Sequence, residues 1–178
     1  KFKKGLDNYR EGAERGIWNT SLIRPANKWF CNAFGVNNVI ANVGGCVFKK
    51  QNLSKDIWEE ARTYKILGDW YLYSHLANGG LIAYESNAIS YFRQHDSNTS
   101  VSSFATAKYY EEHFFLMKTL KEMWSIPNKT IDKFYSKIEF QYRHFKCEEK
   151  LGKLEKYVNL EALKNTNTNK KFKILLIK

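Results

Sequence analysis

The chain has 178 residues, a formal net charge of +11, 43% apolar and 16% aromatic side chains. That composition supports a packed core and excludes a disordered or collagen-like chain, and no apolar run reaches the roughly 18 residues of a membrane-spanning helix. The three cysteines, Cys31, Cys46 and Cys147, are scattered and form no Cys-x-x-Cys, which argues against a disulfide framework or a zinc knuckle and for a reducing compartment.

Lys1 is no initiator and no signal peptide is visible, so the sequence reads as a piece of a longer chain. Residues 1–36 read as loop and short helix, with turn signals at Gly5, Gly12, Gly16 and Pro25. Residues 39–50 are β-prone through Val39, Ile40, Val43, Val47 and Phe48, and Gly44-Gly45 suggests a bulge or a close backbone approach. Ser54 opens a helix with acids in its first turns. Gly68 breaks that helix, Asp69 begins another, and Asn78-Gly79-Gly80 ends it. Residues 81–85 and 88–93 read as two short strands separated by Ser86-Asn87.

From Thr106 the apolar period becomes 3.6. One stripe runs through Ala107, Tyr110, Phe114, Met117, Leu120 and Trp124, a second through Ile131, Phe134, Tyr135, Ile138, Tyr142 and Phe145, and Pro127 separates them. A helical hairpin packed on the α/β part is expected. A third, Lys-rich helix is expected through Leu154, Val158 and Leu163, then a polar linker from Asn165 to Asn169 and a strand-like Phe172–Ile177. The basic balance favours phosphate-bearing partners, and scattered lysines on solvated helix faces account for it equally well.

Two residues stand out chemically. Asp69 sits where a helix opens after a glycine. A general base there is fixed and exposed at one end, while the macrodipole favours its ionised form and lowers its basicity. The plainer reading is an Asp that caps its own helix. His95 lies in Arg93-x-His95-x-x-Asn98-x-Ser100, where a strand pattern stops. An imidazole there can ligate a divalent cation and Arg93 can pair with phosphate, or the segment is a loop held by Asx and Ser hydrogen bonds. Asn42 to Lys50 contains neither GxxxxGK[ST] nor GxGxxG, so a P-loop and a Rossmann fingerprint are excluded. Cys46 reads as an inert thiol. His75, His113 and His144 read as packing or surface residues.

Taken in order, Asn42 to Lys50, Gly68-Asp69-Trp70 with Leu72 and Leu76-Ala77, Gly80 before a strand, and the Arg93 to Ser100 motif resemble the C-terminal half of a family 2-type glycosyltransferase of GT-A fold. The resemblance covers residues 39–101 and implies an α/β fold, helix-rich overall, with a helical C-terminal extension. It implies a GT-A-like portion at 1–101, the extension at 102–164, and a linker with the start of a further segment at 165–178. That start resembles the first strand of a GT-B domain.

The implied reaction is inverting transfer from a nucleotide-sugar donor to a glycan or lipid-linked hydroxyl acceptor, in bacterial polysaccharide or glycoconjugate synthesis, assisted by Mg²⁺ or Mn²⁺. By resemblance Asp69 is the catalytic base and His95 a metal or diphosphate contact. Trp70 lies by the acceptor, and Arg93, Asn42, Gly44 and Gly45 border the substrate. The family's Asp-x-Asp motif is absent, since the aspartates are Asp7, Asp56, Asp69, Asp96 and Asp132. This stretch alone is therefore expected to be inactive. A cytoplasmic location with peripheral contact to an anionic membrane goes with that reading, and nucleic acid is not expected. The alternatives are a non-catalytic basic helical module that binds a membrane surface, a partner protein or RNA, and a purely structural scaffold.

Overall fold

In a computed structural model of the chain, residues 2–40, 43–49, 53–89 and 103–166 are described. In chain order they form α1 (Phe2–Ala13), β1 (Leu22–Pro25), α2 (Ala26–Phe30), α3 (Lys55–Thr63), α4 (Gly68–Leu76), β2 (Leu81–Tyr84), α5 (Ala107–Trp124), α6 (Asn128–His144), α7 (Cys147–Leu151) and α8 (Leu160–Lys164). The protein is helix-rich, and β1 and β2 form a small antiparallel ribbon. No helix among the described residues is long and apolar enough to cross a membrane.

The ribbon pairs Leu22 with Tyr84 and Arg24 with Ile82, and these four residues are the half-buried face of both strands. Ile23 and Leu81 alternate outward and stay exposed. Its inner face is pinned by polar contacts. The Arg24 guanidinium donates to both oxygens of Glu14 at 2.8 and 2.9 Å and lies 4.2 Å from the Trp29 ring centroid. Trp29 Nε1 donates to the Ile82 carbonyl at 3.0 Å, which ties α2 to β2.

One apolar cluster runs from Ala13 to Leu163. Phe30 of α2 stacks on Trp124 at the end of α5 with centroids 4.4 Å apart. Tyr110, Leu116, Met117 and Leu120 of α5 and Ile131, Phe134 and Ile138 of α6 are sealed inside. At about 1.5–3 kcal/mol for each fully buried large apolar side chain, this shared cluster is the dominant stabilising term. The helices beyond residue 102 therefore share a core with what precedes them. At Gly35 the 3₁₀ turn Ala33–Gly35 meets α6: a Cβ there would collide with the Phe30 carbonyl and lie 2.8 Å from Thr130 Cγ2. Gly35→Ala is expected to destabilise the fold by about 2–3 kcal/mol, read by urea unfolding.

Several expectations are corrected. Residues 1–36 hold a 12-residue helix and a strand rather than mostly loop. Within 39–50 no described residue is a strand; Val43–Gly45 is a 3₁₀ turn. Val43, Val47 and Phe48 are exposed there, so their β-prone character meets no sheet to join. Strand β2 pairs with the distant β1; of the second strand expected at 88–93, Ala88 and Ile89 are not strand and the rest lies outside the described residues. The Lys-rich third helix is three short pieces: α7, a 3₁₀ turn at Leu154–Lys156 and α8. Gly152, at φ 79, breaks it, although Leu154, Val158 and Leu163 are buried as expected. Phe172–Ile177 lies outside the described residues.

Candidate functional site

Asp69 occupies the first turn of α4, and two independent devices fix that turn. The first is a buried carboxylate. Glu112 projects from α5 and accepts the backbone N–H groups of Lys65, Ile66 and Leu67 at 2.7, 2.8 and 3.1 Å. These three donors belong to the connection that leads into α4, and one side chain satisfies all of them. The second is Gly68, where a Cβ would stand 2.7 Å from the Ala61 carbonyl. Only a residue without a side chain lets α4 start so close to the end of α3.

The Asp69 carboxylate is held on two sides. Oδ1 accepts the Trp70 N–H at 2.7 Å and Oδ2 accepts Asn38 Nδ2 at 3.3 Å. The residue as a whole is exposed. Partial desolvation still raises its carboxyl above the usual carboxylate range, outweighing the hydrogen bonds from Trp70 and Asn38 that lower it. The lowered basicity expected of a helix N-terminus is therefore not what the environment produces.

Asn38 is itself held. Its side-chain oxygen accepts the Ile40 N–H at 3.3 Å, and its carbonyl accepts the Tyr9 hydroxyl at 3.2 Å. A relay of contacts thus runs from α1 through Asn38 to Asp69. On the other side, the Cys46 thiol follows the Val43–Gly45 turn and donates to the Val43 carbonyl at 3.2 Å. It lies beside the Tyr73 hydroxyl, which is buried and meets no partner in hydrogen-bonding geometry. Desolvation raises the Cys46 thiol, Tyr73 lowers it and Asp69 raises it further, so it is a poor nucleophile.

Behind Asp69, the Trp70 ring is packed in the core, 1% exposed, with its centroid 6.1 Å from that of His113. His113 is also sealed. Its Nδ1 lies 2.7 Å from the Tyr109 carbonyl, which can only accept, so the proton sits on Nδ1 and the ring is neutral. Burial, helped by the nearby Lys137 charge, lowers its pKa to about 3. Between the unfolded value near 6.5 and about 3, the unfolded chain binds a proton that the folded one refuses. Stability is expected to fall as pH drops through that window, by up to ~1.4 kcal/mol per pH unit. Urea titrations at pH 7, 5 and 4 check the slope, and His113→Phe should flatten it.

Lys137 of α6 is half-buried over the Tyr9 ring, 5.1 Å from its centroid. Desolvation lowers its pKa to about 7. No described residue pairs with it. Its burial costs stability while it is charged in the fold; that cost is relieved as pH rises from about 7 toward its ordinary value of 10.5. Lys137→Met is expected to raise the thermal midpoint by a few degrees, roughly 2–4 °C per kcal/mol for a chain of this size. A thermal scan at pH 6.5 checks it.

Of the residues singled out in the sequence, Asp69 and the Gly44-Gly45 turn come together through Cys46 and Tyr73. Gly44 and Gly45 are exposed in a turn, not on a strand. Trp70 is a core residue whose ring is buried and whose backbone N–H serves Asp69. Asn42, Arg93 and His95 lie outside the described residues. Among the described residues, no three His, Cys, Asp or Glu side chains gather as a metal site would need. Two open surface depressions, of about 620 and 710 Å³, lie elsewhere: one around Trp58 of α3, the other between α1 and α6.

Sequence reasoning missed Asn38, Tyr9, Glu112 and Lys137. For Glu112 a signal existed. It lies on the face of α5 that carries Tyr109, His113, Leu116 and Leu120, all buried. No family model, no curated protein and no solved structure matches this chain.

Proposed function

We propose that this segment is the acceptor half of an inverting GT-A glycosyltransferase, with Asp69 as its general base. The observation that carries the reading is the state of that carboxylate: exposed at a fixed helix start, aimed by two hydrogen bonds, and more basic than an ordinary aspartate. Oδ2 has the longer of the two bonds and is the freer proton acceptor. As the acceptor oxygen attacks the anomeric carbon, the new C–O bond forms and the bond to the departing nucleoside diphosphate breaks. The hydroxyl proton passes to Asp69.

The reading includes a nucleotide-sugar donor, a glycan or lipid-linked acceptor and a divalent cation, Mg²⁺ or Mn²⁺. His95 and Arg93 would be this segment's contributions to the cation and the diphosphate. Gly44 and Gly45, which directly precede Cys46 in an exposed turn, would suit a sugar approaching the backbone closely. A cytoplasmic site at the inner face of the membrane belongs to the same proposal. The test is sugar transfer from a panel of nucleotide-sugars by the full-length protein that carries this segment, with Asp69→Asn beside the wild type. Transfer retained in a folded Asp69→Asn protein overturns the assignment.

A further inference from the structure

We infer that the seam between α1 and α6 is a second binding site, built for a phosphate or diphosphate group and separate from Asp69. Tyr9 faces Lys137 at one end, and the depression of about 710 Å³ is lined by Glu11, Gly12 and Arg15 from α1 and by Lys129, Asp132, Lys133 and Ser136 from α6. Three cations, Arg15, Lys129 and Lys133, therefore border one hollow, and Lys137 stands one turn further along α6 from Lys133.

The acids on the same wall are already engaged. Glu11 accepts the Gly16 N–H at 2.9 Å, and Asp132 pairs with Lys164 at 2.7 Å. None of the four seam cations has a carboxylate partner among the described residues. Every acid of the chain except Asp96 lies in that described part.

The Tyr9–Lys137 end of the seam, just beyond the lining of the hollow, is the informative one. A partly desolvated ammonium is costly unless an anion neutralises it. Lys137 keeps its position over Tyr9 without one. Gln141 follows Lys137 by one turn, so the two side chains share a face of α6. Its Oε1 accepts the Tyr109 hydroxyl at 3.2 Å, which leaves the carboxamide NH₂ without a role in that contact. An unneutralised ammonium at the Tyr9 end, with three more cations along the hollow, matches an oxyanion that carries a second negative group. Phosphate esters and diphosphates have that form; a lipid headgroup and a soluble nucleotide both supply it.

The probes are inorganic pyrophosphate and inorganic phosphate, titrated calorimetrically into the full chain at about 0.15 M salt, where exposed charges are screened beyond ~8 Å. Pyrophosphate is expected to bind with a dissociation constant below about 1 mM, weakened at least tenfold by Lys133→Gln and by Lys137→Gln. Lys55→Gln, on α3, and Asp69→Asn are expected to leave it unchanged, so this site and the sugar-transfer reading fail separately. Lys133 is exposed, so its variant remains informative if Lys137→Gln folds poorly. Vesicles of about one-third phosphatidylglycerol distinguish the sources: binding displaced by pyrophosphate assigns a lipid headgroup, and no vesicle binding assigns a soluble phosphate. The inference is overturned by no pyrophosphate binding, by binding indifferent to both seam variants, or by equal loss in Lys55→Gln.

Discussion

Glu112→Ala is expected to lower the free energy of unfolding by about 3–5 kcal/mol, a large share of what holds a domain of this size together. The side chain is buried, and its two oxygens accept three consecutive backbone N–H groups at Lys65, Ile66 and Leu67. Hydrogen bonds to a charged acceptor are each worth about 1.5–3 kcal/mol, and donors stranded in the interior cost their full desolvation. The exposed Lys108 ammonium, 3.8 Å away, adds little to that sum. Alanine removes every acceptor at once. Glutamine keeps one carbonyl oxygen but turns an N–H₂ toward donors, so Glu112→Gln should fall between the two. Urea unfolding reads the loss, and a thermal midpoint lowered by about 10 °C would agree with it. A loss under about 1 kcal/mol would mean that the connection into α4 is held some other way.

The same residue shows where the sequence could be read and where it could not. The period of 3.6 after Thr106 places two helices split at Pro127, and α5 and α6 lie there. The α6 stripe through Ile131, Phe134, Ile138 and Tyr142 is the buried face. On α5 the apolar stripe captured Tyr110, Met117, Leu120 and Trp124 but not Tyr109 or Leu116, nor the polar Glu112, His113 and Lys121 that are buried with them. Helical spacing puts Glu112 on the buried face, but apolar periodicity cannot say what satisfies an acid there. Such burial is licensed by tertiary partners: the N–H groups of 65–67 for Glu112, and the Lys164 carbonyl, with Asn128 Oδ1 from the start of α6, for Lys121. The ribbon fails for a related reason. Leu22–Pro25 becomes a strand because Leu81–Tyr84, more than 50 residues later, offers it an edge.

Around Asp69 the legible part was local and the illegible part was tertiary. A glycine before an aspartate at a helix start is visible in the sequence, and α4 begins there. Asn38, which aims Oδ2, sits in a stretch with no regular period, and Tyr9 reaches it from a helix that the glycines at 5, 12 and 16 disguised as loop. The direction of the carboxyl's shift depends on that assembly. The macrodipole and the Trp70 N–H favour the ionised form, and the desolvation created by tertiary packing reverses the outcome.

That reversal sets the second large expectation. If the proposed sugar transfer holds, Asp69→Asn in the full-length protein is expected to lower it by about 10²–10⁴-fold, the range of a positioned general base. The amide is nearly isosteric and one of its atoms, the carbonyl oxygen, can still accept the Trp70 N–H, so circular dichroism and the thermal midpoint should change little. A base must be deprotonated to act. The wild-type rate should therefore fall as pH drops through the Asp69 pKa, at a pH above that of an ordinary aspartate, because the folded environment raises that pKa. In Asp69→Asn the residual rate should lose this acidic limb. Asn38→Ala supplies the complementary measurement. It removes a hydrogen bond that lowers the Asp69 pKa, so the limb should move to higher pH. An Asn38 variant with an unshifted limb, or an Asp69→Asn enzyme that keeps it, would assign the proton transfer to another group.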